Sequence, residues 1–181
     1  MVAQDDRIRI VQCQTGDPEA FDAVIREHQR MIHSLCFRMT GSLADAEDVA
    51  QETFIHAYRH LGSFRAEARF SSWLYRIAVN QCLNWQDRRR RQDQLHQDWG
   101  EQFGEPSGDD TGRAAQVQAA LLKLPAKQRA AVVLTTFEGL THAEAAQALG
   151  CSETTVSWRL FAARRKLKRL LENVRSQGGS A

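Results

Sequence analysis

The stretch THAEAAQALGCSETTVSWRLFAARRKLKRLL, Thr141–Leu171, decides the fold. Thr141 and Glu144 have the spacing of a capping box, placed ahead of Ala145, Ala146 and Leu149. Gly150 supplies the left-handed backbone that a tight turn needs. Ser152 caps a second helix whose apolar stripe is Val156, Leu160, Ala163, Leu167, Leu170, Leu171 and Val174. The small Ala146 lets two helices approach, and Val156 fixes the angle between them, which is the physics of a helix-turn-helix. The second helix of such a pair can enter the major groove with its first turns against base edges. The residues so placed are Glu153, Thr154, Thr155, Ser157, Trp158 and Arg159, with Phe161, Arg164 and Arg165 behind them. Lys166, Lys168 and Arg169 continue the basic face towards phosphates. The plain alternative is a surface hairpin with a solvated basic face. Turn chemistry and charge agree on nucleic acid instead.

Charge supports that reading. Residues 113–181 carry 11 basic and 4 acidic side chains, whereas residues 1–91 carry 13 and 12. Between them, Gln92–Gly112 has no basic and 6 acidic residues. This segment is rich in Gly, Asp, Glu and Gln, and reads as a flexible acidic linker. Residues 1–91 and 113–181 are then two small domains, both all-α. Upstream of the helix-turn-helix, Val117, Leu121, Leu122 and Leu124 precede a break at Pro125. A second helical run, Gln128–Phe137, stops at Gly139. The β-branched run within it, Ala131–Leu134, is flanked by helix formers and reads as helix.

The N-terminal part opens with a helix starting at Asp17-Pro18 and ending at Thr40-Gly41. A second helix starts at Ser42, with Asp45 at capping-box spacing. It buries Ala50, Phe54, Ala57, Tyr58 and Leu61, and ends at Gly62. Asp45, Asp48, Glu52 and Arg59 face outwards. A third helix begins near Ser71 or Ser72 and runs into Arg88–Arg91. Phe70, Leu74 and Ile77 read as core, with Ala78, Gln81 and Trp85 on the same side as Leu74 and Ile77, while Trp73, Arg76, Asn80 and Asn84 lie on another side. Together with Phe64 and Arg65 they suit single-stranded nucleic acid, since aromatic faces stack on unpaired bases and arginines follow the backbone. The acids Asp45, Glu47, Asp48 and Glu52 lack a His or a further carboxylate to complete a metal site. They read as a protein-docking surface.

The chain has 181 residues with 43% hydrophobic and 25% charged side chains, a globular composition. No apolar run approaches the ~18–20 residues needed to span a bilayer, and Met1–Arg9 has no apolar leader. The expected location is the cytoplasm, without direct membrane insertion. Cys13, Cys36, Cys82 and Cys151 are far apart in sequence and read as small buried hydrophobes in a reducing compartment. No catalytic residue, metal or cofactor is expected, and no phosphate-binding loop is present.

These segments resemble the extracytoplasmic function (ECF) group of sigma-70 family RNA polymerase sigma factors. The likeness runs from about Gly16 to Leu171. It is carried by DAEDVAQETFIHAYRHLGSF (Asp45–Phe64), FSSWLYRIAVNQCLNWQDRRRR (Phe70–Arg91) and Leu124–Leu171. The resemblance implies that residues 1–91 are sigma region 2 and residues 113–181 are sigma region 4. It implies docking of Asp45, Asp48, Gln51, Glu52 and Phe54 on the beta-prime clamp helices of core RNA polymerase. It implies recognition and melting of the −10 promoter DNA by Phe64, Arg65, Trp73, Arg76, Asn80 and Asn84. The −35 element would be read from Ser152–Arg165, region 4 would grip the beta flap, and an anti-sigma factor would hold the protein inactive. The sequence departs from many members at Ser157, Trp158 and Asn84, where a basic, a small and an acidic residue are common. A self-sufficient helix-turn-helix repressor would leave the aromatic helix idle. A metal-dependent nuclease would need a fuller set of ligands.

Overall fold

The computed structural model describes residues 9–15, 17–65, 69–97 and 112–178. Among these, every regular element is helical. A short helix α1 (residues 9–14) leads into α2 (Pro18–Thr40). Then follow α3 (Leu43–His60), a 3₁₀ turn (Leu61–Ser63), α4 (Phe70–Gln97), α5 (Arg113–Leu122) and α6 (Ala126–Val132). A wide π turn (Val133–Phe137), α7 (His142–Leu149) and α8 (Glu153–Gly178) complete the order. An all-α architecture is what the sequence led us to expect.

Local chemistry sets most of the boundaries. The Asp17 side chain accepts from the N–H groups of Glu19 and Ala20, and Pro18 starts α2. Gly41 ends it in the left-handed region, with φ 83°, its N–H returning to Phe37 O at 2.8 Å. Ser42 Oγ accepts from Asp45 N, which is half of the expected capping box. The other half is missing because the Asp45 carboxylate pairs with Arg89 of α4 instead. α4 starts at Phe70, so Ser71 and Ser72 lie inside the helix rather than capping it. Arg69 O takes the N–H groups of Ser72 and Trp73, and Phe70 packs its buried ring against Phe64, Trp73 and His28. Aromatic burial therefore moves the start ahead of the serines. α4 also continues through residues 92–97, six residues beyond the expected linker boundary. The remainder of the expected linker up to residue 111 lies outside the described residues, as does residue 16.

The core is continuous across both halves of the chain. Ile32, Leu35, Met39, Val49, Leu74 and Val79 belong to the same buried cluster as Leu121, Leu134, Val156 and Ala163. α2, α3 and α4 pack on one another, and the opposite side of α4 packs on α7 and α6. The sequence reading placed Phe70, Leu74, Ile77 and Ala78 of α4 inside and Cys82 as a buried hydrophobe, and all five are buried. Tyr75 and Val79 are buried as well. Tyr75 donates its hydroxyl to Glu138 at 2.9 Å, so the second half of the chain covers that side. Burial raises both the Tyr75 phenol and the Glu138 carboxyl above their ordinary ranges.

Cys36 and Cys82, distant in sequence, meet with their sulfur atoms 3.8 Å apart in the core. The contact with Cys36, and then burial, raise the Cys82 thiol well above its ordinary value, so it stays protonated. Cys13 and Cys151 are only half-buried, which departs from the expectation that all four are core residues.

Gly41 carries a specific prediction. A Cβ there would sit 2.4 Å from Leu122 Cδ1, and φ is positive, so Gly41→Ala is strained on two counts. The left-handed conformation alone costs about 1–2 kcal/mol for a residue with a Cβ. Gly62 has nothing within 4 Å of the same atom. In urea denaturation Gly41→Ala should lose at least about 1 kcal/mol, and Gly62→Ala should stay within roughly 0.5 kcal/mol of the parent. Equal stability of the two variants would contradict the packing of Gly41 on Leu122.

Candidate nucleic-acid interface

The helix-turn-helix is built as its sequence dictates. Thr141 Oγ1 accepts from Glu144 N at 3.2 Å, and the Glu144 carboxylate accepts from Thr141 N at 2.9 Å. The Thr141 N–H, and then its hydroxyl, donate to the Glu144 carboxylate and hold it below its ordinary range. Gly150 has φ 58° and ψ 41°, and Cys151 N returns to Ala146 O at 3.0 Å. Ala146 and Val156 are buried between the two helices. Ser152 Oγ accepts from Thr155 N at 3.2 Å and starts α8.

α8 then presents its first turns outwards. Glu153, Thr154, Ser157, Trp158, Phe161, Arg164 and Arg165 are exposed. Trp158 and Phe161 are 68% and 66% exposed, one helical turn apart. A large apolar pair of this kind on a basic helix is suited to base edges, including the thymine methyl. Two of the nine expected residues are occupied otherwise. The Thr155 hydroxyl is 2.9 Å from Ser152 Oγ, and Arg159 is half-buried with Nη1 3.4 Å from the Cys151 sulfur. Both support the turn rather than standing free. One residue was missed: His142 Nδ1 lies 3.1 Å from Ser157 Oγ and orients that hydroxyl. Its position at the start of α7, opposite the first turns of α8, is the signal that would have found it.

The second surface lies on α4. Arg76, Asn80 and Asn84 are exposed and recur at helical spacing, forming one polar row. Arg65 is exposed just ahead of it, while residues 66–68 lie outside the described set. Trp73 is half-buried, in a ring cluster with Phe64 and Phe70 whose centroids are 5.4 to 5.5 Å apart. Such tilted pairs hold aromatic rings in fixed orientation. Gln14 Nε2 donates to Leu61 O at 2.9 Å and Phe64 O at 3.3 Å, tying the approach to this cluster. Trp73 is thus a rigid platform at the edge of the polar row, not a free side chain.

The expected protein-docking residues divide. Asp48 and Gln51 are exposed. Asp45 and Glu52 pair with Arg89 and Arg88, each at 3.2 Å. Arg89 also lies over the Trp85 ring, 5.4 Å from its centroid. Half of the arginine run is therefore turned onto α3. Phe54, given a docking role by the family resemblance, is only 9% exposed and belongs to the core, in keeping with its place in the apolar stripe of α3. Its edge lines a groove of about 1210 Å³ between α2 and α3, with Phe21, Ile25 and Phe37. The exposed apolar residues Leu43, Ile55 and Tyr58 border it. A contiguous apolar patch of this kind marks an interaction surface. Among the described residues no helix is long and apolar enough to cross a membrane.

Comparison with known proteins places both halves. Residues 24–92 match the family model "Sigma-70 region 2", and residues 114–167 match "Sigma-70, region 4". The chain is 41% identical over 159 residues to the ECF RNA polymerase sigma factor SigM of Mycobacterium tuberculosis, covering 86% of this chain and 79% of that protein. It is 32% identical over 186 residues to the RNA polymerase sigma-H factor of Pseudomonas aeruginosa, covering 95% and 96%. Among solved structures, CnrH in complex with the cytosolic domain of CnrY matches at 29% identity with a TM-score of 0.71. That match covers 93% of this chain and 98% of that one.

The exposure pattern on α8 predicts opposite stability effects for neighbouring positions. Trp158→Ala should leave unfolding free energy within roughly 0.5 kcal/mol, because the indole is already in water. Leu160→Ala removes a side chain that is 3% exposed and should cost about 2–5 kcal/mol. Chemical denaturation followed by circular dichroism measures both. A large loss at Trp158 would mean that the indole is packed rather than presented.

Proposed function

Because the chain belongs to the sigma-70 family of RNA polymerase sigma factors, in its ECF group, we propose that its two exposed surfaces read the two promoter elements for the polymerase. The protein binds core RNA polymerase, directs it to promoters and is subject to an anti-sigma factor. On our reading residues 113–181 act at the −35 element. Ser157, Trp158 and Phe161 face base edges, with Arg164 and Arg165 on phosphates. Residues 1–91 act at the −10 element, where Arg65 and Arg76 follow the backbone and Asn80 and Asn84 offer hydrogen bonds to unpaired bases. The same reading divides the chain into region 2, which extends past residue 91 to the end of α4, and region 4 from residue 113.

Strand opening needs no chemistry from the chain. Removing a base from the duplex costs a few kcal/mol. Stacking on an aromatic ring returns about 1–3 kcal/mol per base. Trp73 suits this role because Phe64 and Phe70 fix its orientation before DNA arrives. A ring already held in place loses little side-chain entropy on binding. The protein is on this reading not an enzyme, needs no cofactor, and works in the cytoplasm where polymerase and promoter are. The groove between α2 and α3, together with Asp48 and Gln51, would receive the beta-prime clamp helices. Residues 113–181 would also grip the beta flap.

The observation that carries the proposal is the pairing of a region 2 match and a region 4 match in one chain, each with an exposed row of nucleic-acid chemistry. A self-sufficient repressor would have no use for the row on α4. Run-off transcription tests it, with purified core polymerase and the DNA upstream of this protein's own operon as template. A specific transcript should require both proteins. Asn80→Ala and Trp158→Ala, both at exposed positions, should each lower its yield about tenfold, the equivalent of 1.4 kcal/mol. Tight duplex binding by the chain alone, with no transcript on adding polymerase, would overturn the proposal.

A further inference from the structure

The hydroxyl of Ser157 is held from a neighbouring helix. Ser157 stands on the outward side of α8, in the exposed row with Thr154, Trp158 and Phe161. Several helix hydroxyls turn back on their own helix: Thr53 donates to Val49 O at 2.7 Å, and Thr135 to Ala131 O at 2.8 Å. Ser157 reaches across to α7 instead, where its Oγ lies 3.1 Å from His142 Nδ1. Both side chains are exposed, but their positions are fixed from beneath. The capping box at Thr141 makes His142 the first residue of α7. Val156, next to Ser157, is fully buried, and the small Ala146 lets the two helices close over it. Cys151 N, returning to Ala146 O at 3.0 Å, locks the turn between them.

A serine hydroxyl has one hydrogen and two lone pairs, and a neutral imidazole has one donor nitrogen and one acceptor. The contact therefore has two forms. With the proton on Nδ1, the ring donates to Oγ and the serine hydrogen stays free for DNA. With the proton on Nε2, Oγ donates to Nδ1 and only its lone pairs remain. The place of His142 decides between them. The backbone N–H groups that open a helix have no partner within it and carry the positive end of its dipole, so they favour an acceptor close by. A lone pair on Nδ1 meets that demand. The acid of this first turn, Glu144, is already engaged by Thr141 N and Thr141 Oγ1, each at 2.9 Å.

We infer that His142 fixes the Ser157 hydroxyl as a hydrogen-bond acceptor, and that the pair selects a base with an exocyclic amine, adenine or cytosine, at the −35 position it meets. The inference rests on the reading of α8 as the −35 helix and names what one part of that helix recognises. In the major groove adenine presents its N6 amine and cytosine its N4 amine, whereas guanine presents only acceptors and thymine an acceptor and a methyl group. A lysine or arginine at position 157 only donates and suits guanine. Serine held by His142 has the opposite polarity. His142 is a positioning residue in this scheme, because it acts on the base only through the serine. A hydroxyl already oriented also loses less rotational freedom when DNA arrives.

Run-off transcription by the holoenzyme, formed from purified core polymerase and the full chain, tests this on the DNA upstream of the protein's own operon with each −35 base pair changed in turn. The position that belongs to Ser157 is the one whose preference is lost in Ser157→Ala. At that position the template is then made with an analogue lacking the exocyclic amine, purine for adenine or pyrimidinone for cytosine. The parent should lose about fivefold in yield, the worth of one net hydrogen bond. Ser157→Ala and His142→Ala should each be indifferent to the missing amine, and the double variant should match the single ones, as for two groups acting through one contact. His142→Asn, whose amide oxygen takes the place of Nδ1, should restore the parent's sensitivity. Circular dichroism should show the parent's helical content in every variant; if His142→Ala unfolds, His142→Phe keeps the bulk of the ring without its nitrogens and replaces it. A parent that ignores the missing amine would overturn the inference. So would a His142→Ala variant that discriminates as the parent does, or that lowers yield equally on all templates. A holoenzyme blind to every −35 substitution would remove the −35 reading itself, and this inference with it.

Discussion

The C-terminus of α2 is the point on which the rest of the structure depends. A helix of 23 residues ends there at Gly41, in a backbone conformation that residues with a Cβ rarely adopt. Its last carbonyls accept from three sources: Gly41 itself, Gln86 of α4, and Gln118 and Arg129 of the second half. Buried carbonyls must be paired, so this single helix end recruits both the neighbouring helix and the distant half of the chain. Leu122 then packs where a Cβ at position 41 would lie. One local requirement of backbone chemistry thus fixes the relative placement of elements more than 80 residues apart, as the separation between Phe37 and Gln118 illustrates.

The two surfaces proposed to meet nucleic acid obey a common design. Each is a row of exposed polar or aromatic side chains on a helix whose other faces are locked. On α8 the lock is Val156, Leu160 and Ala163 in the core, with Ser152, Thr155 and Arg159 spent on the turn. On α4 it is burial against α2 and α3 on one side and α6 and α7 on the other. A rigid helix presents its outward groups in fixed register, which lowers the entropy lost when they meet DNA. The proposed function assigns those rows to promoter DNA. The packing explains how the chain can hold them still.

The pairing of α3 acids with the arginine run changes the electrostatic picture drawn from charge alone. Arg88 and Arg89 read in sequence as part of a free basic run, and Asp45 and Glu52 as a free acidic patch. In the fold they largely answer each other. Arg88–Glu52 is exposed and Arg89–Asp45 is open to water on its arginine side, so they contribute little to stability. They leave Asp48, Gln51 and the apolar groove as the outward features of α3.

The sequence by itself determined the elements that rest on local chemistry. Asp17-Pro18, Thr40-Gly41, the Thr141–Glu144 box, Gly150 and Ser152 each mark a boundary found where it was expected. The exposed members of both rows were legible for the same reason, because helical spacing separates outward from inward positions within one element. The family likeness was legible because whole segments carry it. What only the tertiary structure decided involves partners far apart in the chain: the start of α4 at Phe70 rather than at a serine, the burial of Tyr75 and Val79, the meeting of Cys36 with Cys82, and the guanidinium of Arg129 under the end of α2. Periodicity reports that a residue has an apolar side and that a helix has an end. It carries no information about which distant surface covers that side, because the covering contact is a property of two segments at once.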